Sequence, residues 1–163
     1  MINKIKKNVW QVIFKRFGSC VYLIKHKGKN ILIDTSSKEN REELIHCLRE
    51  TGVSPEQVNA LILTHNHWDH TGNVDVFKNA KIYRGKEAEN ESIEGFRIIH
   101  SPGHTQTDIC IIYKDVLFSG DVLFHNGFTG RTDFPESSPV KMKKSIEKLR
   151  KIKYQILCPG HII

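Results

Sequence analysis

Four apolar segments of this chain each end in a side chain that can bind a metal ion. "ALILT" leads into His65, "FRIIHSPG" into His104, "DVLFSG" into Asp121 and "YQILCPG" into His161. In three of the four, glycine immediately precedes the polar residue and lets the backbone turn sharply beside a site. Functional side chains are commonly placed on loops at the ends of rigid elements. The pattern therefore predicts strands whose ends meet at a metal site.

The first of these ends carries a cluster, "THNHWDH", over residues 64–70. In an extended turn, His65 and His67 point in the same direction, which leaves Asp69 and His70 to face a point a few ångströms away. This spacing suits two neighbouring metal ions better than one. Imidazole and carboxylate donors are typical of zinc and also accept iron or manganese.

Hydrophobic periodicity predicts a layered α/β or α+β sandwich in one domain over residues 1–163. Helices are expected over 38–51, with Ser36 or Ser37 as the cap, and over 138–152, with Ser138 as the cap. Strands are predicted over nine apolar runs: 9–14, 20–26, 30–35, 58–64, 81–85, 96–101, 108–114, 115–120 and 154–159.

Composition excludes several classes. No apolar run approaches the roughly 20 residues that a membrane helix needs, and no secretion signal is recognisable at the N-terminus. The four cysteines form no CxxC pair, so reduced thiols in the cytoplasm are expected. The net charge of +7 is compatible with nucleic acid, but no aromatic residues interleave with the basic runs. A small-molecule substrate is favoured over nucleic acid or a membrane, and the oligomeric state stays open.

Together, the motifs resemble those of the metallo-β-lactamase-fold hydrolase superfamily, from "ILIDT" through HxHxDH to the final "PGH". Within it, "SPGHTQTD", "FSGDVLF" and "GRTDFP" are most similar to the glyoxalase II-like (hydroxyacylglutathione hydrolase-like) branch. The resemblance implies a four-layer αββα sandwich. It also implies a compact form, because the glyoxalase II enzymes continue past the last histidine into a helical domain that contacts glutathione.

The resemblance further implies two divalent metal ions, with zinc first and iron or manganese as alternatives. The family's ligand positions fall here on His65, His67 and His104 for the first metal, on Asp69, His70 and His161 for the second, and on Asp121 as the bridge. Asp69 is also the expected catalytic residue. Asp34 is expected to support the ligands by accepting a hydrogen bond. His125 and Arg131 are candidates for the mouth of the site, with Arg131 expected to pair with Asp133.

The expected activity is hydrolysis of a small thioester or ester by a metal-bridging hydroxide, with weak β-lactamase activity as a side reaction. Two alternatives stay open: an iron-dependent persulfide dioxygenase, and a nuclease or phosphodiesterase of the same fold. A binding module without catalysis is disfavoured by the intact ligand set.

Overall fold

A computed structural model describes residues 1–162 of the chain, which fall into two compact units. The first unit comprises Met1–Tyr83, and the second begins at Arg84. Each unit is built on its own β-sheet, so the chain has the predicted mixed α/β character with two sheets.

The first unit contains a six-stranded sheet in which the strands follow one another in chain order. Its strands are β1 (Ile2–Lys6), β2 (Val9–Val12), β3 (Val21–His26), β4 (Lys29–Ile33), β5 (Val58–Leu63) and β6 (Lys81–Arg84). The first four strands pair antiparallel, whereas β4 and β5 pair parallel. A parallel pair requires a crossover connection, and helix α1 (Arg41–Glu50) lies within it.

Leucine side chains from this sheet and from α1 form the core of the first unit. Leu23 and Leu61 on the strands, together with Leu44 and Leu48 on the helix, are completely buried and belong to one cluster. Leu44 and Leu48 lie one turn apart, so they present one apolar face to that cluster. This packing holds α1 against the sheet.

The second unit contains a four-stranded sheet in the order β10-β9-β8-β7. Its strands are β7 (Phe96–His100), β8 (Ile109–Tyr113), β9 (Val116–Gly120) and β10 (Ile156–Pro159). β8 pairs antiparallel with both neighbours and β10 pairs parallel with β9. Consequently β7, β9 and β10 run in the same direction, and their carboxyl ends lie at one edge of this sheet. Helix α3 (Pro139–Arg150) contributes Met142 and Leu149 to the core of the unit.

Most predicted elements are found, and the exceptions are local. The polar strand β1 was not predicted. Ser138 accepts a hydrogen bond from the amide of Lys141, as expected of an N-cap. The predicted helix over 38–51 is found as α1, but its predicted serine cap was wrong: a 3₁₀ turn over Lys38–Asn40 precedes α1, and neither Ser37 nor Asn40 caps through its side chain. Over residues 1–162, none of the helices is long and apolar enough to cross a membrane.

Candidate metal centre

The histidine-rich loop of the first unit follows directly on β5. Four buried residues close that strand, and the chain then turns into the four-residue helix α2 (Trp68–Thr71). His67 stands at the N-terminus of α2, where its carbonyl oxygen accepts from the amides of His70 and Thr71 at 3.0 and 3.1 Å. The short helix therefore fixes the backbone that carries Asp69 and His70.

Within this loop, the potential ligand atoms are close together. The pairs His65–His67, His65–His70 and Asp69–His70 each bring their ligand atoms within 4.8 Å. The imidazole centroids of His65 and His70 are 4.0 Å apart, and those of His65 and His67 are 4.7 Å apart. His65, Asp69 and His70 are buried, whereas His67 is partly exposed.

Asp34 lies behind the loop, immediately after β4. Its Oδ1 accepts from the backbone amide of Thr64 at 2.8 Å, and its Oδ2 accepts from the Thr64 hydroxyl at 2.8 Å. The same Oδ2 lies 2.8 Å from Nδ1 of His70. Because a carboxylate only accepts, Nδ1 of His70 carries the proton and its Nε2 presents a lone pair. Asp34 adopts a φ of 59°, a left-handed conformation that aspartate tolerates better than most residues.

The segment "DTSS" also holds the backbone of α2. The amide of Thr35 donates to the carbonyl oxygen of His70 at 2.7 Å, and its hydroxyl donates to the same oxygen at 3.0 Å. Asn73 donates from its side-chain amide to the carbonyl oxygens of Thr35 and Ser37, both at 2.8 Å. Sequence reasoning missed Thr35 and Asn73; their only signal is that "DTSS" and "TGN" directly follow a predicted strand and the ligand motif.

Three candidate ligands of the second unit lie at the edge of its sheet where β7, β9 and β10 end. Asp121 follows β9, His161 follows β10 after one glycine, and His104 lies four residues beyond β7. Oδ2 of Asp121 lies 3.6 Å from Nε2 of His104 and 3.6 Å from Nε2 of His161. The parallel direction of β7, β9 and β10 is therefore what brings these three side chains together.

His104 is oriented by the main chain of a loop. Its Nδ1 lies 2.8 Å from the carbonyl oxygen of Arg131, so Nδ1 donates and Nε2 presents the lone pair. The loop approaches closely because residue 130 is glycine. A Cβ atom at Gly130 would lie 2.4 Å from the carbonyl oxygen of Asp121 and 2.9 Å from Nδ1 of His104.

A buried carboxylate closes the turn that follows His104. Asp108 accepts from the amide and the hydroxyl of Thr105, both at 2.7 Å. Burial raises the pKa of Asp108 above its ordinary value, and the two hydrogen bonds from Thr105 offset part of that rise. The turn is thus fixed by an acceptor inside the protein.

The donor chemistry fits divalent metal ions. All seven sequence-predicted ligands belong to groups of His and Asp side chains that could hold a metal ion. His70 and His104 both have Nδ1 occupied by an oxygen acceptor, the arrangement that orients metal-binding imidazoles in proteins. None of the seven proposed ligand positions holds a cysteine. Burial raises the pKa of the Cys110 thiol to about 12.

Two other predicted residues lie on the surface of the second unit. His125 is exposed in a short 3₁₀ turn. The guanidinium of Arg131 forms a bidentate pair with Asp133, at 2.9 and 2.7 Å. That pair lowers the pKa of Asp133 and raises that of Arg131.

Comparison with known proteins identifies a matching family and several relatives. The sequence profile of the Metallo-beta-lactamase superfamily matches residues 15–92 and 82–161. The chain is 34% identical over 134 residues to a probable metallo-hydrolase of Methanocaldococcus jannaschii, covering 76% of this chain and 65% of that protein. It is 32% identical to a hydroxyacylglutathione hydrolase of Hydrogenovibrio crunogenus over 67% of this chain and 45% of that protein. The chain thus spans less than two thirds of either relative.

Solved structures of similar fold cover nearly the whole chain. The di-iron-bound form of TTHA1623 superposes with a TM-score of 0.79 at 22% identity, over 94% of this chain and 92% of that one. ETHE1 from Myxococcus xanthus gives a TM-score of 0.75 at 22% identity, over 94% of this chain and 75% of that one. The predicted fold class is thereby confirmed.

Proposed function

The chain belongs to the metallo-β-lactamase superfamily, and on that premise we propose that it is a metal-dependent hydrolase of small thioesters or esters. The observation that carries the proposal is the orientation of two buried histidines. His70 donates through Nδ1 to Asp34, and His104 donates through Nδ1 to the carbonyl oxygen of Arg131. Both imidazoles are thereby held in the tautomer that can bind a metal through Nε2.

We propose that the ligand sets of the two units act together, as the family membership suggests. His65, His67 and His104 would hold one metal ion, Asp69, His70 and His161 a second, and Asp121 both. When bound, such a pair of ions supplies an activated water and polarises the carbonyl of the substrate. The metal is proposed to be zinc, with iron and manganese compatible with the same donors.

The chain's own carboxylate supplies the proton transfer in this proposal. Asp69 is buried, and its Oδ2 lies 4.0 Å from Nε2 of His70. Besides serving as a metal ligand, Asp69 would orient the attacking water and accept the proton that the water loses. A thiolate leaves without protonation by a strong acid, so a thioester makes the smallest demand on further catalytic groups.

The relatives support a glyoxalase II-like substrate. The hydroxyacylglutathione hydrolases are matched over about half of their own length, for example 45% and 59%. A glutathione thioester is therefore the first substrate to test, together with smaller thioesters that need fewer contacts.

The test combines a metal assay with a substrate panel. Protein purified without added metal is analysed for zinc, iron and manganese, and is then assayed on S-lactoylglutathione, a chromogenic β-lactam, a phosphodiester, and glutathione persulfide with oxygen uptake. We expect thioester hydrolysis to dominate and a chelator to abolish it. Activity on the phosphodiester alone, or oxygen uptake alone, would replace the proposal by the corresponding alternative.

A matched pair of histidine variants gives the control. His104→Ala removes an oriented ligand, and we expect at least a hundredfold loss of thioesterase activity together with lower metal content. His46→Ala removes an exposed imidazole that faces Glu50 at 3.7 Å, and should change neither quantity. Equal activity in the two variants would refute the metal-dependent scheme.

A further inference from the structure

Two aromatic side chains stand exposed beside the ligand loop of the first unit. Trp68 and Phe17 expose 63% and 65% of their surface, although both are large and apolar. Their ring centroids are 5.7 Å apart with an interplanar angle of 42°, so the two rings form one tilted apolar surface. Trp68 lies between the proposed ligands His67 and Asp69 in the chain, which places this surface next to the proposed reaction centre.

The backbone that carries Phe17 is anchored. Its carbonyl oxygen accepts from the Ser37 hydroxyl at 2.6 Å and from the side-chain amide of Asn40 at 3.2 Å. The amide of Ser19 donates to the carbonyl oxygen of Asp69 at 2.9 Å, which ties the same loop to α2. These bonds tie together the two backbone segments that carry the rings.

The position after Phe17 admits only glycine. A Cβ atom on Gly18 would lie 2.4 Å from Oγ of Ser36 and 2.9 Å from the amide nitrogen of Ser37. The loop is therefore pressed against the "DTSS" segment, the same segment that holds α2. The exposed aromatic pair leaves apolar surface in water, which costs free energy. A flexible loop could bury the two rings and avoid that cost.

Two cations precede the pair in the chain. Lys15 and Arg16 are exposed, and the side-chain amide of Asn40 binds the carbonyl oxygen of Arg16 at 3.3 Å. Positive charge that lies next to an apolar surface along the chain suits a molecule that joins an aromatic or alkyl group to an anionic part. Glutathione thioesters of aromatic acids have this composition.

From these observations we infer that Phe17 and Trp68 determine substrate specificity by contacting an aromatic or alkyl group of the ester or thioester. The inference rests on the proposed function and adds the class of group that the substrate carries. The apolar group could lie on the acyl side or on the thiol side of the scissile bond, and the experiment separates the two.

The first experiment compares two substrate series on the metal-loaded protein. The acyl series consists of lactoyl- and phenylacetyl-glutathione, and the thiol series of the acetyl thioesters of 2-mercaptoethanol and benzyl mercaptan. Covering about 55 Å² of ring surface is worth about tenfold in affinity. We therefore expect Trp68→Ala to raise KM about tenfold for the aromatic member of one series, with kcat and the smaller member little changed.

Three further variants exclude a merely structural effect. Phe17→Ala should act like Trp68→Ala, and Trp68→Phe should restore most of the selectivity because it keeps an aromatic ring. Ile82→Ala, which shortens another exposed apolar side chain of the same unit, should leave the KM values unchanged. A uniform loss over all four substrates, or no loss on any of them, overturns the inference.

A binding measurement separates this inference from the proposed function. The chain contains two tryptophans, so Trp10→Phe leaves Trp68 as the single reporter. Titration with phenylacetate should change the emission of Trp68 saturably, whereas acetate should not. Phenylacetate binding without any hydrolysis would refute the proposed function and leave only the binding of an aromatic group at Trp68. Hydrolysis without aromatic selectivity or phenylacetate binding would refute the inference and keep the proposed function.

Discussion

Replacing Asp34 by asparagine should weaken metal binding by changing the tautomer of a histidine. Oδ1 of Asp34 accepts from the backbone amide of Thr64, which can only donate. The amide oxygen of an asparagine must therefore face Thr64, and its NH₂ group must face Nδ1 of His70. To accept that hydrogen bond, His70 has to move its proton to Nε2, and Nε2 then no longer presents a lone pair.

The size of the effect follows from the burial of the pair. His70 has no exposed surface and its Nδ1 lies 2.8 Å from Oδ2 of Asp34, so water cannot restore the tautomer. Loss of such an outer hydrogen-bond partner typically lowers metal affinity by about 10- to 100-fold. The charge-assisted bonds become neutral ones, which costs about 1–2 kcal/mol of stability. For a chain of this length that is a fall of about 2–8 °C in Tm.

Competition titrations with a chromophoric chelator measure the metal affinity of the wild type and of Asp34→Asn. Asparagine accepts the left-handed conformation found at position 34, where φ is 59°, so the change adds no backbone strain. Asp75→Asn is the matched control, because Asp75 also accepts a hydrogen bond, from Arg41 at 2.6 Å, but on the surface. Unchanged metal affinity in Asp34→Asn with a lowered Tm would refute the tautomer argument.

Three further predictions concern the loop that carries Arg131, the core of the first unit and the buried thiols. Arg131→Ala should leave metal affinity unchanged, because His104 binds the carbonyl oxygen at this position, not the guanidinium; a tenfold loss would contradict that. Leu61→Ala should lower the free energy of unfolding by about 2–5 kcal/mol in urea titrations, since Leu61 is completely buried, and a loss below about 1 kcal/mol would show that the core refills the cavity. Burial raises the pKa of Cys20 to about 11 and that of Cys110 to about 12, from 9.0 for an ordinary thiol. Only the unfolded chain then loses these protons between pH 9 and 11, so the urea midpoint should fall over that window and the Cys20→Ala/Cys110→Ala variant should show a smaller fall.

The strands that carry the proposed ligands were predictable because each combines a strong local signal with a clear end. β9 and β10 are apolar runs that stop at glycine or proline-glycine, and the structure ends them at Gly120 and Pro159. β1 carried no such signal. Its sequence "INKIK" is mostly polar, and it forms a strand because β2 offers a partner for its backbone hydrogen bonds.

The error at the start of α1 has a long-range cause. Ser36 and Ser37 look like helix caps in the sequence, because short hydroxyl side chains usually bind the first free amides of a helix. In the structure the Ser37 hydroxyl donates instead to the carbonyl oxygen of Phe17, twenty residues earlier in the chain. A partner at that separation leaves no periodic trace, which is also why the paired Phe17 and Trp68 rings could not be foreseen.

Position 34 and position 131 support their histidines by different means, and the difference decides what each position tolerates. At position 34 the acceptor is a side-chain carboxylate, so the tautomer of His70 depends on the identity of that residue. At position 131 the acceptor is a backbone carbonyl, so the tautomer of His104 depends on the path of the loop and on Gly130, which lets the loop approach. The first dependence is visible in a sequence as an aspartate after a strand. The second dependence leaves no signal in the sequence, since every residue has a carbonyl group. Substitutions of the Arg131 side chain therefore test only the surface of the loop. Substitutions of Gly130 test the proposed metal centre.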